Sequence, residues 1–191
     1  MTDPVLHLVA GPNGAGKSTF YEEVPGPITG LPFINADQIA AKRWPGRELE
    51  MAYEASEMAA RQRERALKAR RSFATETVFS HPSKLDLLRA AREKGYRLTL
   101  HVILIPEELA VARVEQRVRA GGHAVPEEKI RARFSRLWMH LHQAIALCDE
   151  TFVYDNSRAA RPYRRVAEFS DGRPIRTPDW PPWTPDDLTS A

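Results

Sequence analysis

Lys17 and Ser18 close the run Gly11-Pro12-Asn13-Gly14-Ala15-Gly16-Lys17-Ser18-Thr19, which fits the pattern G-x-x-x-x-G-K-[ST]. The spacing has a chemical cause. Glycines let successive backbone N–H groups turn inward onto phosphate oxygens. A helix that follows aims its positive end at the same anion. The lysine reaches the β- and γ-phosphates, and the Ser18 hydroxyl ligates Mg²⁺. Residues 11–19 are therefore predicted to hold ATP and Mg²⁺. The setting agrees, with an apolar strand at Val5–Ala10 before the loop and a helix from Gly16 to about Glu23 after it.

The same letters serve transporter-type ATPases, but those need an apolar strand ending in Asp-Glu and an L-S-G-G-Q-like signature. Neither occurs here: the central strand ends "VILIPEE", and Pro106 interrupts it. The N-K-x-D guanine signature is also missing. A small kinase remains.

Such an enzyme needs a carboxylate beside the acceptor hydroxyl, because that proton must leave as the new P–O bond forms. Asp37, after "FINA", is the candidate base; a helix N-cap is the competing reading. Glu76, flanked by Thr75 and Thr77, reads either as an acceptor-binding patch or as the polar face of an edge strand. Charge on the moving phosphoryl group calls for arginines, often from a lid. Beyond Pro126, Ile130, Phe134, Leu137, Leu141 and Ile145 share a core stripe, and Lys129, Arg133, Arg136 and His140 run beside it. Arg133 and Arg136 are the candidates there. Arg117, just before Gly121-Gly122-His123, is the candidate from the preceding helix, with the glycine pair giving the loop freedom to close. A solvated basic face is the alternative for each. Asn156, in "YDNS", reads as an adenine contact or an Asx-turn. The run from Arg61 to Arg71 lacks interleaved aromatics and reads as a solvated helix face. His7 and His101 read as core histidines, and no grouping has zinc-ligand spacing.

These residues need a frame. Strands are predicted at Phe33–Ala36, within "SFATETVF", along "YRLTLHVILI" and at "TFVYD". The lack of alternation in the third implies a strand buried on both faces, as in a parallel sheet. Helices are predicted from Gly46 to Arg71, from Ser83 to a stop at Gly95, from Pro106 to about Ala120, and from Pro126 to about Cys148. A terminal hairpin turns around Asp171-Gly172. The alternation predicts an α/β P-loop sandwich with a mostly parallel central sheet. Residues 1–170 form its kinase domain, and 171–191 form a Pro/Trp-rich tail with no helix, its Trp180 and Trp183 packed on the body.

The totals agree with one soluble domain: 191 residues, 42% hydrophobic, 28% charged and a net charge of +3. One cysteine, Cys148, excludes an internal disulfide and fits a reducing compartment. No signal peptide or membrane span is read, so the expected location is the cytoplasm.

"GPNGAGKSTF", "FINAD", "ATETVF", "GGHAVP" with an Arg-rich helix after it, and "YDNS" together resemble the zeta toxin family of P-loop kinases, over about Val5 to Ser157. The resemblance implies phosphotransfer from ATP with Mg²⁺, an acceptor such as the 3′-hydroxyl of UDP-N-acetylglucosamine, and an antitoxin protein as partner. It matches Asp37 to the family's base and Glu76 to its acceptor-side carboxylate. Arg117 and Arg136 fit the γ-phosphate arginines, while His123 stands near where one of them would be expected. Two other functions stay open: a polynucleotide-end kinase, whose Arg61–Arg71 face would bind nucleic acid, and a non-enzymatic ATP-binding regulator.

Overall fold

The computed structural model describes residues 3–122 and 125–189. In chain order its elements are β1 (Val5–Ala10), α1 (Lys17–Glu23), α2 (Pro25–Thr29), β2 (Phe33–Ile34), α3 (Ala36–Arg43), α4 (Ala52–Lys68), β3 (Phe73–Thr77), α5 (Ser83–Glu93), β4 (Arg97–Leu104), α6 (Glu107–Arg119), α7 (Glu127–Ile145), β5 (Glu150–Asp155), β6 (Arg164–Ser170), β7 (Arg173–Pro174) and α8 (Asp186–Thr189). One sheet runs in the order β2-β3-β1-β4-β5-β6-β7. The first five strands are parallel; β6 and β7 are antiparallel additions at one edge. This is the expected α/β sandwich with a mostly parallel central sheet.

Burial explains the sequence pattern. Leu98, Leu100, Val102, Ile103 and Leu104 of β4 are fully buried, as a strand between two helical layers requires. Ile130, Phe134, Leu137, Leu141 and Ile145 of α7 are buried on one stripe, together with Trp138. Trp180 and Trp183 pack against the core, and Leu188 is fully buried.

Three expectations change. The helix expected from Gly46 to Arg71 starts only at Ala52, after a turn in which Gly46 has φ 81°. It ends where Arg70 takes φ 49°, with the N–H of Arg71 bonded to the carbonyl of Ala66 and that of Arg70 to Leu67. That left-handed cap is ordinarily a glycine, as Gly95 is after α5, so the sequence carried no stop signal here. The connections on either side of β2 hold the short α2 and the two-turn α3. The tail does contain a helix: Asp186–Thr189 starts after Pro185, and the carbonyl of Asp187 accepts from His142 Nδ1 at 3.1 Å. Among the described residues, no helix is long and apolar enough to cross a membrane.

Candidate active site

The loop after β1 and the C-terminal ends of β2 and β3 open into one cleft of about 640 Å³. Register explains the convergence: Val9 and Ala10 of β1 pair with Glu76 and Thr77 of β3, so Glu76 emerges beside the phosphate loop. Ligands of open α/β sheets sit at such strand ends. Among the residues lining the cleft are Asn13, Gly14, Gly16, Lys17, Ser18 and Thr19 of the loop; Gly11, Pro12 and Ala15 are buried beneath it. A Cβ on Gly11 would lie 2.4 Å from the Ile103 carbonyl oxygen, so the loop packs on β4 too closely for any side chain.

Lys17 donates from Nζ to the Pro12 carbonyl at 3.0 Å. Burial pushes its ammonium below the ordinary lysine value; Glu76 and Asp37 pull it back up, and Arg117 and Arg133 push it down. All four charges therefore act on the lysine. Ser18 Oγ donates to Glu76 Oε2 at 2.7 Å, and Asn35 Nδ2 donates to Ser18 Oγ at 3.4 Å. Burial holds the Glu76 carboxyl above its ordinary value, against the opposing pull of Lys17 and the Ser18 hydroxyl. A hydroxyl and a carboxylate are hard oxygen donors that suit Mg²⁺, which is bound through one or two carboxylates and keeps waters and phosphates as its other ligands. The donor set fits that ion.

Asp37 is not the helix cap. Asn35 caps α3, its Oδ1 accepting from the N–H groups of Asp37 at 2.7 Å and Gln38 at 3.2 Å. Asp37 sits in the first turn, exposed and lining the cleft. The sequence reading missed Asn35, although its place one residue before a helical run is a capping signal.

Arg117 and Arg133 line the cleft. Arg136, expected to join them, does not: it is exposed on α7 one turn beyond Arg133, outside the cleft lining. His123 lies outside the described residues. The glycines before it close the end of α6. Gly121 caps α6 at φ 85°, with Gly121 N–H bonded to Val118 and Gly122 N–H to Arg117, and a Cβ on Gly122 would meet the Arg117 side chain at 2.6 Å.

Asn156 also changes role. Its amide is buried and donates to the Ala15 carbonyl at 2.9 Å, so it positions the loop. Tyr163 donates to the Gly16 carbonyl at 3.1 Å. Arg113, which the sequence reading passed over, donates to the carbonyls of Gly14 at 3.4 Å and Asn156 at 3.0 Å. Its spacing of i, i+4 from Arg117 was the available signal. Thr75 is buried and donates to the Ile34 carbonyl at 2.7 Å, tying β3 to β2; Thr77 lines the cleft, its Oγ1 accepting from Phe79 N–H at 3.1 Å. The remaining cations of the cleft, Arg63 and Lys84, were not expected.

His101 is a buried core residue as read; His7, only partly buried, stacks on it with His7 Nδ1 3.0 Å from His101 Nε2, and burial, then the neighbouring His7, lowers His101 to about 3. Among the described residues, no group of three or more His, Cys, Asp or Glu could hold a metal.

Comparison with known proteins adds the following. Residues 6–137 match a family model described as an AAA domain. An uncharacterized protein of Haemophilus influenzae is 29% identical over 125 residues, 65% of this chain and 88% of that protein. A chain of the AvrRxo1-ORF1:-ORF2 complex with ATP superposes with a TM-score of 0.69 at 17% identity, over 90% of this chain and 60% of that one. This chain thus spans about 60% of the length of that relative. A chain of the PezAT chromosomal toxin-antitoxin system of Streptococcus pneumoniae gives a TM-score of 0.64 at 16% identity, over 88% of this chain and 72% of that one. At these identities the two structures share a fold with this chain.

Proposed function

The chain belongs to the AAA domain family, and from that premise we propose that it is an ATP-dependent kinase that transfers the γ-phosphate to a hydroxyl of a small molecule. The carrying observation is the placement of Asp37: released from capping by Asn35, it faces the same cleft as Lys17 and Ser18. Asp37 accepts the proton of the acceptor hydroxyl as that oxygen attacks. Lys17 exchanges the Pro12 carbonyl for phosphate oxygens, and Arg117 and Arg133 offset the charge that spreads over the transferring group. Ser18 and Glu76 would hold Mg²⁺, which when bound neutralises the β- and γ-phosphate oxygens. Arg113, Asn156 and Tyr163 keep the loop in its binding shape.

The motif resemblance makes UDP-N-acetylglucosamine the first acceptor to try. The PezAT name makes a protein antitoxin a candidate partner. In this reading residues 1–170 are the catalytic domain, and the enzyme works in the cytoplasm. In the Arg61–Arg71 face two of the six cations are compensated, Arg61 by Glu57 at 3.2 Å and Lys68 by Glu64 at 2.8 Å, and the run has no interleaved aromatic on which a base could stack.

The test is turnover of ATP and Mg²⁺ by purified protein, with and without UDP-N-acetylglucosamine and with mass spectrometry of the acceptor. A phosphorylated acceptor is expected, with kcat reduced about 10²- to 10⁴-fold in Asp37→Asn, the usual worth of a general base. Transfer at the wild-type rate by Asp37→Asn sinks the assignment of the base. ATP binding with no transfer to any hydroxyl compound sinks the kinase.

A further inference from the structure

The connection between β5 and β6, residues 156–163, contains no helix or strand, yet both of its ends reach under the phosphate loop. At one end the Asn156 amide bonds the Ala15 carbonyl; at the other the Tyr163 hydroxyl bonds the Gly16 carbonyl. The fit is close, since a Cβ on Gly16 would lie 3.0 Å from the Asn156 nitrogen and 3.0 Å from the Tyr163 oxygen. Tyr163 holds φ 51°, a backbone state that a tyrosine keeps only when its surroundings impose it. The interior of the connection does not impose it: among the described residues, the backbone bond within it is Arg161 N–H to the Arg158 carbonyl.

The connection is closed at its neck. Asp155 and Arg164 flank it and face each other in the antiparallel β5–β6 pairing. Asp155 is buried; its Oδ1 accepts from Ser157 N–H at 2.9 Å and its Oδ2 from Arg164 Nη2 at 3.4 Å. The other nitrogen of the same guanidinium, Nη1, donates to Asp179 Oδ2. Asp179 belongs to the C-terminal segment and is itself fixed, its N–H donating to the Val166 carbonyl at 2.7 Å. Next to it Trp180 lies on Phe169, and at the far end of the segment Leu188 is fully buried. The segment thus holds the guanidinium from outside, and the guanidinium holds a buried carboxylate inside.

A plain fastening of the tail is the competing explanation. It accounts for the bond to Asp179, which is 79% exposed and belongs to the class of surface pairs worth little. It does not account for Asp155, which is 8% exposed and whose charge is costly without a partner. The rigid fork of an arginine can engage two carboxylates at once in fixed directions, which a lysine ammonium on its flexible stem does not. Asp155 is bonded in the chain to Asn156, and Arg164 to Tyr163, so any opening of this neck moves both side chains that hold the phosphate loop.

We propose that Arg164 is a positioning residue for the nucleotide: by clamping Asp155 it sets the neck from which Asn156 and Tyr163 hold Ala15 and Gly16, and the C-terminal segment keeps it there through Asp179. The inference rests on residues 11–19 being the ATP site and on no particular acceptor. The test is calorimetric titration of full-length protein with Mg²⁺ and a non-hydrolysable ATP analogue. R164Q should weaken binding about tenfold, the order of one charge-assisted hydrogen bond. R165Q, on the same strand and paired with Glu168 at 3.1 Å, should stay within about twofold. D179N, at an exposed position, should weaken binding about two- to fivefold, and Y163F about three- to tenfold. Because Arg164 acts through the Tyr163 bond, R164Q/Y163F should bind no more weakly than R164Q alone. Should R164Q fail to fold, the same cycle is run with D179N and Y163F. Unchanged affinity in R164Q, equal losses in R164Q and R165Q, or full additivity in the cycle each overturns the role. Unchanged affinity in D179N overturns the part given to the C-terminal segment. Wild type that binds no analogue removes the ATP site and this role with it; analogue binding lost in R164Q, with no transfer to any acceptor, keeps the role and removes the kinase.

Discussion

Beneath the phosphate loop, side chains are spent on backbone carbonyls: Arg113 on Gly14 and Asn156, Asn156 on Ala15, Tyr163 on Gly16, Lys17 on Pro12. Across the cleft, Asp37, Arg63, Lys84 and Arg133 line the opening without a hydrogen bond or ion pair from their side chains among the described residues. The first region is already in its binding shape before ligand arrives, which is the arrangement that stabilises developing charge at least reorganisation cost. The second is arranged for groups that a ligand supplies. A substitution below the loop should therefore act on ATP affinity through geometry. One on the rim should act on transfer or on the acceptor, with the fold left intact.

The sharpest break of that comparison is on α7. Arg133→Gln removes a rim cation in the field of Lys17 and is expected to lower kcat about 10²- to 10³-fold, as loss of one preorganised charge donor does. Arg136→Gln, three residues on and outside the cleft, should leave kcat within about twofold, as surface substitutions do. Steady-state kinetics on the two variants decides it. Equal losses would mean that α7 turns during the reaction and that the resting geometry misplaces the rim.

Those two arginines also mark where sequence reasoning stops. The loop, the parallel sheet and the buried β4 were legible because each follows from a local pattern with one dominant cause. The stripe Lys129, Arg133, Arg136 and His140 was legible as a stripe, yet periodicity gives an angle around a helix and not the distance to a cleft. Asp37 could not be separated from a cap by its own position; the answer lay in Asn35, which took the cap. The role of Asn156 depends on a contact 141 residues away in sequence, and no local signal carries that. Arg63 was obscured by its neighbours, since five other basic residues around it are solvated or paired. Its one distinguishing mark was a place on the row of Ala55 and Ala59.

Below the loop, Asn156→Ala is the intermediate test. It deletes the donor to the Ala15 carbonyl and leaves that buried acceptor without its partner, at a cost of about 1–3 kcal/mol. If the cost falls on the bound loop, ATP affinity drops about 5- to 150-fold while the acceptor KM stays within about twofold. Calorimetry with ATP and acceptor kinetics at saturating ATP separate the two. A shift in acceptor KM with unchanged ATP affinity would show that the loop and the rim are not independent.

Glu76 lies between the two regions and carries the smallest expected effect, one on stability. Its carboxyl is bonded by Ser18, yet burial still holds its pKa above the ordinary 4.5. A group raised on folding contributes stability that is fully present below its unfolded pKa and is lost as pH rises through the folded value. The wild-type protein should therefore lose stability above about pH 4.5 as this carboxylate ionises. Glu76→Gln keeps an acceptor for Ser18 and has no charge to bury. Its Tm should match wild type near pH 4 and exceed it by more as pH rises from 4.5 to the raised folded value, levelling above that, with a limiting slope of about 1.4 kcal/mol per pH unit for one proton. Adding Mg²⁺ and ATP should narrow the gap, because the cation supplies the charge that the carboxylate lacks. A Tm difference that does not change with pH would mean that Lys17 and Ser18 already neutralise Glu76 in the resting protein, and that it belongs to the committed side of the cleft.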